Sequence, residues 1–312
     1  MKKDNLELIP SGDPSLLEPL TCLHSPLDLE IAGATLQSLL LERWKRIAEQ
    51  EKERPFFACS DYWPSGKLLE SLSAVSGDFT LLVSGIPAAW RGGTANAPDL
   101  ASAKILRPED DDKHSFRIVY PWDILKINEE VLGSLRENSI RGTVRENVTI
   151  DGILLLGENS VLLPGVYLEG VVMIGKNCKI GPNCYIRGNT YIGDFCHVGQ
   201  AVELKNSLLM NHVSAGHLTY LGDSIVCPRT NFGAGTIASN FRHDGKNHRS
   251  LVGEELLDTG RRKFGTIIGD NVHTGIHTSI YPGRKLWPDV QTLPGEVVRR
   301  DLRPPRNSSG RN

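Results

Sequence analysis

Residues 144 to 204 read VRENVTIDGILLLGENSVLLPGVYLEGVVMIGKNCKIGPNCYIRGNTYIGDFCHVGQAVEL, and every sixth residue is aliphatic. The stops are Val144, Ile150, Leu156, Leu162, Leu168, Ile174, Ile180, Ile186, Ile192, Val198 and Leu204. Two places before the stops run compact, mostly apolar residues: Val148, Leu154, Ser160, Val166, Val172, Cys178, Cys184, Thr190, Cys196 and Val202. A period of six fits neither the 3.6 of a helix nor the 2 of a simple strand, but it fits short strands meeting at regular corners. Gly157, Gly175, Gly181, Gly193 and Gly199 follow aliphatic stops, and Asn147, Asn159, Asn177, Asn183 and Asn189 precede compact positions. Both types tolerate unusual backbone angles. The pattern predicts a solenoid of parallel strands, with Cys178, Cys184 and Cys196 as core filling.

After Leu204 the count slips, and it returns in TIIGDNVHTGIHTSIYPG, where Ile268 and Ile280 are in phase and the stop between them is the polar Thr274. Between slip and return lies NFRHDGKNHRSLVGEELLDTGRRKFG, polar, basic and aperiodic, which reads as a loop extruded over residues 241–265. Upstream, residues 1–135 lack the repeat. A helical stretch, LQSLLLERWKRIAEQEKE, alternates with strand-like runs such as PFFACS and DFTLLVSGI, which predicts a small α/β domain. YPWDILKINEEVLGSLREN reads as a linking helix delivering the chain to a second domain, residues 136–312. The fold class expected is α+β.

The 35 basic and 37 acidic residues give a net charge of -2, so no global field argues for nucleic acid or an anionic membrane surface. No apolar run approaches a signal peptide core or a spanning helix, and the expectation is a cytoplasmic chain without a membrane partner. The six cysteines include no CxxC, so neither a zinc knuckle nor a redox pair is indicated, and no metal is expected.

The chemistry gathers in GQAVELKNSLLMNHVSAGHLTYLGDSIVCPRTNFGAGTIASN, residues 199–240. Histidine is the side chain whose pKa suits proton removal at neutral pH, while arginine and lysine suit holding a phosphate. Arg187 and Lys205 lie 18 residues apart, about one coil, which stacks them on one face.

The hexapeptide period resembles the left-handed parallel β-helix of the acyltransferase superfamily, with about 18 residues per triangular coil. AGHLTYLGD and NFGAGT, with SNFRHDGKN, DTGRRKFGTIIGDNV and SIYPGRK, resemble the acetyltransferase half of the bifunctional glucosamine-1-phosphate acetyltransferase and N-acetylglucosamine-1-phosphate uridyltransferase family, most of all its archaeal-type members. The resemblance covers residues 140–285. It implies His217 as catalytic base; Arg187, Lys205, Tyr220 and Asn231 as sugar-phosphate ligands; and Lys246, in the loop, as a further substrate contact. It also implies Ala234, Asn240 and Phe241 at an acetyl-CoA site, acetyl-CoA as co-substrate, and a homotrimer in which a loop of one subunit finishes a neighbour's site.

The domain order, with YPWDILKINEEVL, resembles sugar-1-phosphate nucleotidyltransferases carrying a fused acetyltransferase. Residues 1–60 hold no glycine-rich loop to cradle a triphosphate, so the N-terminal domain is expected to be a shortened relative without nucleotidyl transfer. Two other readings compete. His212 and His217 have the H-x4-H spacing of γ-type carbonic anhydrases, but position 181 is Gly181 and no third ligand falls in register. A degenerate protein that binds a sugar nucleotide, or assembles with partners without catalysis, is the other.

Overall fold

The computed structural model describes residues 2–3, 5–108, 112 and 114–304, the first two as backbone. Contacts divide the chain into two compact units. One comprises residues 1–14 and 34–119, the other residues 15–33 and 120–312.

In the first unit the expected helix forms as α1, Leu36–Glu49, capped by the Thr35 side chain accepting from Ser38 N. Leu36, Leu40, Trp44 and Ile47 make one buried stripe, the spacing of a helix with a single apolar face. A second helix, α2 (Gly66–Leu72), is capped by Ser65. PFFACS and DFTLLVSGI form the strands Phe56–Cys59 and Phe79–Val83, both bonded antiparallel to Ile86–Arg91. Arg91 is buried there with its charge met by Glu51 at 3.2 Å and by the Ile47 carbonyl at 2.8 Å. A buried guanidinium persists only with such partners.

The second unit is a parallel β-helix with three faces. The first face stacks Thr143–Val144, Val161–Leu162, Lys179–Ile180, His197–Gln200, Ser214–His217 and Asn231–Phe232. Long strands Thr149–Leu156, Tyr167–Ile174 and Tyr185–Ile192 bend across the corner between the second and third faces. The second face continues through Glu203–Lys205, Tyr220–Gly222, Ile237–Ala238, Ser279–Ile280 and Val297–Val298. Leu208–Leu209, Ile225–Val226, Ile267–Ile268 and Lys285–Leu286 continue the third. From Leu156 onward the predicted stops are the buried core, as are Cys178, Cys184 and Cys196, all unpaired. Val144 stays exposed because no coil precedes it.

The slip has a single location. Register pairs Ile186 with Leu204, 18 residues on, but Leu204 with Leu221, 17 on. The lost residue is at the second-to-third corner, where the inward step from Leu204 to Leu209, and again from Leu221 to Val226, is five rather than six. The 241–265 insertion leaves at this same corner. Phe241 and Lys263 bridge its neck, and within it Arg249–Val252 and Glu255–Asp258 pair as an antiparallel hairpin.

Two expectations about corner residues need correction. Asn147, Asn159, Asn177 and Asn183 have φ of 60°, 60°, 55° and 55°, but Asn189 does not share it; Gly188 takes that role with φ 71°. Asn189 instead binds the linking helix α3 (Pro121–Gly133), donating to the Glu129 carbonyl at 3.1 Å. Gly157 is not a positive-φ residue either. A Cβ there would lie 2.4 Å from the Gly175 carbonyl oxygen, so stacking of successive coils, not backbone angle, requires glycine.

The expected boundary at 135 also moves. Helix α3 packs on the long strands and belongs with the solenoid. So does residues 15–33, a strap along the third face. Tyr191, Leu208, Ile225, Ile267 and Lys285 point away from the core there and are nonetheless buried. Leu17, Leu20, Leu29 and Ile31 of the strap are buried with them. Glu18 accepts from Trp287 Nε1 at 3.2 Å, His24 meets the buried Asp270 at 2.9 Å, and Glu30 accepts from Tyr191 and Asn211. Among the described residues no helix is long and apolar enough to cross a membrane.

Candidate functional site

His217 ends the strand Ser214–His217, at the corner between the first and second faces, and its side chain is exposed. Its carbonyl is held by the next rung and by its own: Gly235 N and Thr219 Oγ1 both donate to it, at 3.2 and 3.0 Å. Leu218, with φ 50°, makes the turn. Among the described residues the imidazole has no hydrogen-bond partner. It lies close enough to His197 to matter: burial first, then the positive charge of Lys179 and of His217, holds the His197 pKa below its ordinary value. His212 is a corner residue with φ 60°, stacked flat on Phe195 at 4.8 Å, so the H-x4-H spacing joins two different corners.

Around the corner, on the second face, register places Arg187 beside Lys205 and Lys205 beside Gly222. The predicted stacking of the two cations is therefore present. Each is already paired: Arg187 Nε and Nη2 donate to Glu203 Oε1 at 3.0 and 2.9 Å, and Lys205 Nζ lies 3.2 Å from Asp223 Oδ2. The Arg187 pair leaves Nη1 outside it. Glu203 is in register with Tyr220. Burial, with Glu203 and then Asp223 nearby, pushes the Tyr220 phenol above its ordinary pKa.

Asn240 joins this group. It is buried, its Nδ2 donates to Asp223 Oδ2 at 2.6 Å, and its carbonyl accepts from Phe264 N at 3.0 Å. Ala234 sits on the rung after His217, with Ile276 on the next, since Gly235 N bonds the His217 carbonyl and His277 N the Ala234 carbonyl.

The remaining predicted residues stand apart within one chain. Asn231 is on the first face, in register with Ser214 on one side and His273 on the other. Phe241 and Arg242 line an open cavity of about 510 Å³ with Tyr281 and Pro282 at the base of the insertion. Lys246 is exposed and shares a second hollow with Arg242, Arg249, Leu256 and Asp258. Sequence reading missed Glu203, Asn206 and the acceptor role of Asp223. The signal was the changed period: Asn206, Asp223 and Asn240 recur at 17 residues, once the shortened coil is known.

A protein-family profile described as the GMPPB C-terminal domain matches residues 168–284. A bifunctional sugar-1-phosphate nucleotidylyltransferase/acetyltransferase of Sulfurisphaera tokodaii is 40% identical over 182 residues, covering 58% of this chain and 45% of that protein. A bifunctional protein GlmU of Methanococcus maripaludis is 48% identical over 170 residues, covering 54% of this chain and 41% of the relative. The similarity lies in the C-terminal part of the chain. The matches thus span less than half the length of these curated relatives.

Proposed function

We propose that the solenoid transfers an acetyl group from acetyl-CoA to the amine of an amino-sugar 1-phosphate, glucosamine-1-phosphate first among candidates. The observation that carries this reading is the placement of an exposed, unbonded imidazole one corner away from the Arg187, Lys205 and Tyr220 row. The description of the Sulfurisphaera tokodaii relative as a bifunctional sugar-1-phosphate nucleotidylyltransferase/acetyltransferase supports it.

His217 accepts a proton from the sugar ammonium, or from the attacking nitrogen as the new C–N bond forms. The C–S bond of the thioester breaks, and the sulfur leaves as the free thiol once protonated. Arg187 and Lys205 hold the phosphate, Arg187 through its Nη1 edge, while Tyr220 orients the sugar. Positioning and proton transfer together account for the acceleration.

Asn231, Phe241 and Lys246 reach the same reaction only if a second copy supplies them, since the single chain sets them on another face and on the insertion. A homotrimer closing around parallel β-helices meets this requirement. Light scattering at micromolar concentration is expected to give the mass of three chains; a monomer would remove the shared site.

The decisive measurement is thiol release from acetyl-CoA with glucosamine-1-phosphate, galactosamine-1-phosphate and nucleotide-linked amino sugars. Turnover is expected with a 1-phosphate and not with a neutral amino sugar. Tight binding of any of them with no thiol release would favour the non-catalytic reading.

A further inference from the structure

Six left-handed corners of this solenoid are asparagines: Asn147, Asn159, Asn177, Asn183, Asn206 and Asn271. At 223 the same conformation, φ 51°, is taken by aspartate. The backbone does not ask for a charge there, and burying a carboxylate is costly unless donors surround it. The Asp223 side chain is 4% exposed.

Its two oxygens face three donors, drawn from the rungs on either side. Lys205 Nζ is 3.2 Å from Oδ2, Asn206 Nδ2 is 3.0 Å from Oδ1, and Asn240 Nδ2 is 2.6 Å from Oδ2. Asparagine at 223 would turn one of these acceptors into a fourth donor. Gly222, next to it, leaves the room this arrangement needs: a Cβ there would meet Asn240 Nδ2 at 2.4 Å and Tyr220 Oη at 2.6 Å. On the outer side Asn206 Nδ2 also donates to Glu129 of α3 at 2.6 Å, and Glu129 pairs with Arg261 at the end of the insertion. The carboxylate therefore sits at the centre of the row, touching its cation directly and its phenol through Asn240, whose side chain hydrogen-bonds Tyr220 beside Gly222.

We propose that Asp223 is a positioning residue of the sugar-phosphate side, fixing the Lys205 ammonium and, through the Asn240 amide, the Tyr220 hydroxyl. The proposal rests on the acetyltransferase reading for its kinetic consequence, and on geometry alone for its structural one.

Asp223→Asn keeps a residue type that occupies six other left-handed corners, so the turn is expected to fold, while the melting temperature should fall because the largely buried Lys205 ammonium loses its carboxylate. KM for the amino-sugar phosphate should rise by about 10- to 100-fold, the range for losing a hydrogen bond to a charged group, with kcat and the KM for acetyl-CoA little changed. On a Lys205→Met background the same substitution should raise KM by clearly less than it does in the parent, because one of the two partners through which it acts is gone. In protein carrying 13C-labelled tyrosine, with the Tyr220 signal identified by its loss in Tyr220→Phe, the phenol should titrate lower in Asp223→Asn, since a neighbouring negative charge has been removed.

Asn240→Ser gives a second route to the same sugar-phosphate KM should Asp223→Asn not fold. A KM within about 2-fold of the parent in a folded Asp223→Asn protein would overturn the proposal, as would effects that multiply fully with Lys205→Met. A parent protein that releases no thiol removes the function reading instead. The Tyr220 titration then decides alone, and an unmoved signal refutes the positioning role.

Discussion

Replacing His217 by alanine is expected to lower kcat by about 100- to 10,000-fold, the range that general-base assistance supplies. Because the imidazole makes no bond that holds the corner, the fold should not change. The corner is kept by the His217 carbonyl, which accepts from Gly235 N and Thr219 Oγ1, and these contacts survive in alanine. KM for either substrate should therefore stay within a few-fold, as for a group whose interaction is made only in the transition state. Arg187→Ala should behave in the opposite sense, raising KM for the sugar phosphate and leaving kcat closer to the parent, because a phosphate contact is present in the ground state and the transition state alike. Steady-state thiol release over a range of both substrates separates the two patterns. If His217→Ala kept more than about half of wild-type turnover where chemistry limits, the proton-transfer role would be wrong.

Leu20→Ala should destabilise the solenoid by about 2–5 kcal/mol, the usual cost of emptying a fully buried leucine site. Leu20 is 0% exposed, and it lies in the strap between Glu18 and His24, each tied to a different coil. The informative readout is where protection is lost. Hydrogen exchange should quicken in Leu208–Leu209, Ile225–Val226 and Ile267–Ile268, whose outward side chains are buried on the third face. The strands Phe56–Cys59 and Ile86–Arg91 of the other unit should keep their rates. The opposite distribution would return the strap to the N-terminal unit.

Much of this protein was legible along the chain. A β-helix repeats one local decision, which residue turns inward, and the inward positions recur at a spacing short enough to read; Leu156 to Leu204 are the core because each coil lays its aliphatic residue on the one before. Four of the five expected corner asparagines, the helix α1 and the place of the insertion were legible for the same reason, being set by neighbours in sequence. The stacking of Arg187 on Lys205 followed from the period as well.

What sequence could not reach depended on contacts between distant segments. Nothing in PSLLEPLTCLHSPLDLEI shows that it will cover the third face, since its burial is supplied by Tyr191, Leu208 and Ile225, far along the chain. Nor does a lysine show that it is paired. Asn206, Asp223 and Asn240 stack because one residue is lost at a corner, bringing positions 17 apart onto adjacent rungs, and Lys205 beside Asn206 reaches the same carboxylate, which is left among donors rather than water. A repeat carries its own register, whereas the polar partners of a site are chosen by tertiary packing, where burial makes an unpaired charge too costly to keep.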